Sequence, residues 1–139
     1  MTKPEDIRFD DPITDLLFAA LRQARAARHA LEYDTPLLLP HTSRPFAAAI
    51  ARRCNSEEVF DAAFARDLDA LISELEDQVA TETQIDGHCD PDTGFSWEDL
   101  HRTPNGYTLQ RAAIALRKLR ATLDAVADAC AAEVIRGGL

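Results

Sequence analysis

At 139 residues the chain is long enough for one domain with its own core, and 46% hydrophobic against 28% charged residues excludes wholesale disorder. Three cysteines (Cys54, Cys89, Cys130) without a CxxC spacing exclude a disulfide framework, and a net charge of −9 excludes the concentrated basic face that phosphate contacts require. The acid is concentrated: residues 57–106 hold fourteen Asp and Glu against only Arg66 and Arg102.

Residues 1–11 read as a charged tail, polar and acidic rather than leader-like, which places the protein in the cytoplasm. Asp11-Pro12 supplies a cap and a first-position proline, and Ile13, Leu17, Ala20, Ala24, Ala27 and Leu31 follow at spacings of three and four, predicting a helix. It should end near Pro36, which disfavours helix in the residue before it. Leu37, Leu38 and Leu39 are too apolar to hang in water and are expected to form a strap across the bundle, far too short to cross a membrane. Pro45 opens a short helix with Phe46, Ala49 and Ile50 inward, ending near Cys54.

Asn55 and Glu58 have capping-box spacing, so a helix over 56–82 is expected, with Phe60, Phe64, Leu68, Leu71, Ile72, Leu75 and Val79 on one face. Residues 83–106 break all periodicity and read as a long acidic loop with at most one turn from Ser96 to His101. The last helix is predicted from Thr108 to Ile135. Its stripe of Leu109, Ala112, Leu116, Leu119, Leu123, Val126 and Cys130 alternates by three and four, and Gly137-Gly138 stops it. The expected fold is therefore all-α: a compact helical bundle of three long helices and one short helix, forming a single domain over 12–136.

The acidic helix suggests a docking face for a basic protein surface, since charge complementarity of that kind raises association rates and enforces specificity. Asp67, Asp69, Glu74, Glu76 and Asp77 are the candidate contacts. Phe95 and Trp97 in the loop read either as anchors pinning it to the bundle or as a hot spot for the partner. The competing reading is intramolecular. Arg22, Arg25 and Arg28 of the first helix and Arg117, Lys118 and Arg120 of the last could flank the acidic helix, each exposed pair contributing about 0–1 kcal/mol.

The loop also gathers metal-ligating residue types: Asp86, His88, Cys89, Asp90, Asp92 and His101. Their spacing fits neither a zinc site nor an EF-hand, where Phe95 and His101 occupy the positions that need Gly and Glu. A thiol site at Cys89 with His88 or His101 as base is opposed by the surrounding carboxylates, which disfavour a thiolate. The narrow alanine-rich seams fit either an intramolecular bundle or a helical homodimer. From the sequence, the expectation is a non-enzymatic interaction module without a cofactor: a regulator, inhibitor, immunity-type or accessory protein. It would dock a basic partner through helix 56–82 and loop 84–106. A metal or thiol site in the loop and a structural homodimer are the alternatives.

Overall fold

In the computed structural model, which describes residues 12–137, four helices are joined by turns and by one β-hairpin. The expected tail at 1–11 lies outside the described residues. Helix α1 spans Pro12–His29, with Arg28 and His29 in its last turn, where cations favour the helix dipole. It runs on through a single π-helical turn, Ala30–Asp34. Thr35 closes that turn, donating both its backbone N–H (3.0 Å) and its hydroxyl (3.2 Å) to the Ala30 carbonyl, and is fully buried there.

The leucine strap divides by residue. Leu39 is buried, Leu38 packs against the core, and Leu37 points to solvent. Arg44 fastens the strap by donating to the carbonyls of Leu39 at 3.0 Å and Leu37 at 3.3 Å. Helix α2, Arg44–Arg53, buries Ala47, Ile50 and Ala51, with Phe46 packed alongside; Ala49, expected inward, is only half-buried. Cys54 follows as a buried residue.

The next start signal belongs to Ser56 rather than Asn55. The Ser56 hydroxyl accepts the Glu58 N–H at 3.2 Å, but the structure it caps is one 3₁₀ turn, Glu57–Phe60. Helix α3 begins after Asp61 and spans Ala62–Thr81, burying Phe64, Leu68, Leu71, Ile72 and Leu75.

Helix α4, Pro104–Gly137, starts four residues earlier than the periodicity implies and is the longest element, about 51 Å at 1.5 Å per residue. It is the spine of the fold: α1 and α3 both pack along it and scarcely touch each other. Both run antiparallel to it. Arg117 meets Glu76 and Arg120 meets Asp69, and the starts of α1 and α3 share a groove with the far end of α4.

The irregular loop expected at 83–106 is instead ordered. Strands β1 (Thr83–Cys89) and β2 (Ser96–Arg102) pair antiparallel, with Thr83 opposite Arg102 at the base and Cys89 opposite Ser96 at the tip. The tip turn is closed by Asp90 N–H to Phe95 O at 2.7 Å and Gly94 N–H to Asp90 O at 2.8 Å. Gly94 takes a φ of 71°, which favours glycine. The fold is therefore broadly helical with a small two-stranded sheet, and not the all-α bundle expected. No helix among the described residues is long and apolar enough to cross a membrane.

Candidate functional site: an exposed acidic hairpin

The hairpin rises from the junction of α3 and α4. The Thr103 N–H donates to the Glu82 carbonyl at 3.1 Å, and the Thr103 hydroxyl donates to Glu82 Oε2 at 2.5 Å. The Arg102 guanidinium fixes the base, donating from Nε to Thr83 Oγ1 at 2.8 Å and from Nη1 to Gln110 Oε1 at 2.7 Å. Above the base, no residue of either strand is buried.

Side chains alternate between two faces of the hairpin. One face carries Gln84, Asp86 and His88 beside Trp97, Asp99 and His101. Asp86 and Asp99 stand directly opposite, a like-charge pair that disfavours pairing, but each has a neighbour on the diagonal. His88 Nε2 lies 2.9 Å from Asp99 and His101 Nε2 lies 3.3 Å from Asp86, contacts that become ion pairs when the imidazoles are protonated. Trp97 stacks on His88 with ring centroids 5.3 Å apart and on Phe95 at 5.7 Å. These aromatics stay 42% (Trp97) and 64% (Phe95) exposed, so they do not pin the hairpin to the bundle.

The opposite face carries Ile85 and Leu100, both exposed, and leans over α3 and α4. Together with Val79, Ala80, Ala113 and Ile114 they line a cavity of about 420 Å³, within the range of about 300–1,000 Å³ usual for ligand pockets. Val79 belongs to the apolar face expected of the acidic helix, and no sequence pattern singles out any of these apolar residues as a site, nor Arg102 beside them. The only signal for Ile85 and Leu100 is that two seven-residue runs flank the turn.

The structure separates the candidate metal ligands. Asp86, His88 and His101 share one face, Cys89 lies on the other, and Asp90 and Asp92 belong to the turn. The Asp90 carboxyl is held below its usual range chiefly by the Asp92 N–H and then by the Thr93 hydroxyl, so it serves the turn itself. Among the described residues, no group of three or more His, Cys, Asp or Glu is placed to hold a metal ion.

On the acidic helix, three of the five candidate contacts are committed within the chain. Arg53 donates to Asp67 at 2.6 Å, Arg120 to Asp69 at 2.9 Å, and Arg117 holds Glu76 through two nitrogens. Glu74 is half-buried, with Oε2 lacking a hydrogen-bond partner, and Asp77 is exposed with no ion pair among the described residues. The arginines that neutralise the helix come from α2 and α4; Arg28 of α1 pairs with Glu32 in the turn that follows it. Comparison with known protein families, with curated proteins and with solved structures gave no significant match, so the site is read on its own geometry.

Proposed function

We propose that the protein is a non-enzymatic interaction module, of the regulator, inhibitor, immunity-type or accessory kind, that docks a basic surface of another protein, and that the hairpin is its recognition element. The carrying observation is that no residue of either strand is buried while the hairpin displays Phe95, Trp97, Ile85 and Leu100. A two-stranded hairpin is marginally stable in water on its own, and exposed stacked aromatics are typical of binding hot spots. The same segment carries five carboxylates against Arg102, which suits a cationic partner. Asp77 is the exposed acid on α3 left to assist, with half-buried Glu74 beside it; Asp67, Asp69 and Glu76 are held by arginines.

The test is native mass spectrometry of the untagged protein from its own host, with and without Phe95→Ser and Trp97→Ser together. The wild-type chain should carry a second, basic polypeptide that the double variant has lost while keeping its helical circular dichroism. A complex that survives replacement of residues 84–101 by a short Gly-Ser linker would sink the proposal.

A further inference from the structure

The cavity beneath the hairpin joins apolar walls to a charge without a counter-ion. Ile85 and Leu100 from the strands and Ile114 from α4 are 59%, 51% and 43% exposed, yet all three line this one space of about 420 Å³. Large apolar side chains that converge on a concavity, rather than scatter singly over a surface, mark a binding site. The polar part of the lining says for what. Its one carboxylate, Glu76, is already held by Arg117. Arg102 has no such counterpart. Arg28, Arg53 and Arg120, half-buried as it is, each hold a carboxylate, whereas Arg102 makes no ion pair among the described residues and donates to the neutral oxygens of Thr83 and Gln110. Glu82, at the same base, gives its carboxylate to the Thr103 hydroxyl and is not part of the lining.

We infer that this cavity binds a small amphipathic carboxylate, an aliphatic chain with one acid head. The Thr83 hydroxyl is used in both directions, accepting from Arg102 and donating to the Val79 carbonyl at 2.6 Å, and Gln110 Oε1 also accepts from Arg102. Around Arg102 the hydrogen-bonding capacity left over therefore belongs to donors: Arg102 Nη2 and Gln110 Nε2 have no partner among the described residues. A carboxylate supplies the acceptors and the negative charge that they lack, and its chain gives Ile85, Leu100 and Ile114 apolar contact. The sign of the lining matters in a chain of net charge −9. Here two arginines stand against one carboxylate, whereas the groove at the far end of α4 sets Asp61 and Asp124 against Arg66 and Arg120 and favours neither sign. Trp97 lies on the opposite face of the hairpin and Phe95 in its turn, so the inference is independent of any protein partner that they engage.

Titration of the full chain with sodium octanoate, followed by methyl NMR, should shift Ile85, Leu100 and Ile114 together and saturate as one site. Octanol, which lacks the charge, and octylamine, which reverses it, should bind at least about tenfold more weakly, the share expected of a charge-assisted hydrogen bond. Ala80→Phe fills the cavity from an exposed position of α3 and should abolish the shifts. Ile114→Glu sets an acid in the lining and should weaken octanoate more than about tenfold. Both variants should keep their helical circular dichroism, and neither touches Arg102. Bound octanoate should also slow amide exchange over 83–102, since a ligand held by both strands and both helices stabilises the closed arrangement. Octanol or octylamine binding as tightly as octanoate overturns the inference. Shifts that never saturate, or that persist unchanged in Ala80→Phe, overturn it as well.

Discussion

Arg102 and Thr83, paired across the base of the hairpin, are also joined through their side chains, Nε to Oγ1 at 2.8 Å. The same guanidinium reaches Gln110 on α4 and lies over the Tyr107 ring at 5.4 Å, so a single side chain ties both strands to the spine of the bundle. Gly106 makes room for it: a Cβ there would sit 2.6 Å from Arg102 Cγ and 2.9 Å from Glu82 Cβ.

Gly106→Ala should therefore destabilise the protein, although replacing a helical glycine by alanine ordinarily helps by about 1 kcal/mol. Overpacking of this kind costs about 1–3 kcal/mol, and the loss should concentrate in the hairpin. Amide hydrogen exchange should show faster exchange over 83–102 with the helices little changed. A variant as protected as wild type would mean that Glu82 and Arg102 yield freely.

Cys54 should be the inert thiol. Burial pushes it up to about 11, with Arg28 and Arg53 pulling only partly the other way. Alkylation of the native protein at neutral pH should label Cys89 and Cys130 and spare Cys54. Because the folded-state value is raised above the ordinary 9.0, the associated stability is intact below about pH 9 and is lost as pH rises through about 11. The loss should reach about 2–3 kcal/mol, measured by urea unfolding, and Cys54→Ala should flatten that part of the profile.

Charge reversal on α3 should separate committed from uncommitted acids. Asp69→Lys and Glu76→Lys each break a pair with Arg120 or Arg117 and should lower the midpoint of thermal denaturation slightly, as loss of an exposed pair does. Asp77→Lys, which breaks no such pair, should leave the melting temperature unchanged. Equal effects at all three positions would show that the arginines contribute nothing to the fold.

Acid should loosen the hairpin tip before the helices. The Asp90 carboxyl is depressed by hydrogen bonds from the Asp92 N–H and then Thr93, so its stabilisation is present above the unfolded-state value and lost as pH falls through the folded one. Amide resonances of Asp92 and Gly94 should broaden or shift below about pH 4. Asp90→Asn, which keeps an acceptor without the charge, should remove that pH dependence.

The helices are legible in the sequence because each buries one face, and a periodicity of three and four follows directly from that. Phe64, Leu68, Leu71 and Leu75, or Leu109, Leu116 and Leu119, declare themselves as core by spacing alone. The hairpin is not legible for the complementary reason. With no residue buried, nothing imposes apolar alternation on 83–89 or 96–102, and the turn residues Asp90-Pro91-Asp92-Thr93-Gly94 dominate the pattern. Cys130 differs again. Its place on the stripe follows from the spacing, yet it is exposed, because periodicity cannot say how far the neighbouring helices cover the stripe. Ser56 and Asn55 are adjacent residues of capping type, and only the backbone decides which one takes the Glu58 N–H.

The arrangement of α1 and α3 along α4, rather than on each other, also orders events during synthesis. Ala20, Ala24 and Ala27 on one side, and Phe64, Leu68 and Leu71 on the other, all wait for surfaces between Leu109 and Val126. Contacts between the first and last helices close a loop of most of the chain, the entropic cost that slows folding. Until the final quarter of the sequence leaves the ribosome, the earlier helices have apolar faces and no spine to receive them. A chain halted after the hairpin is thus predicted to be a substrate for chaperones and proteases rather than a smaller version of the same fold.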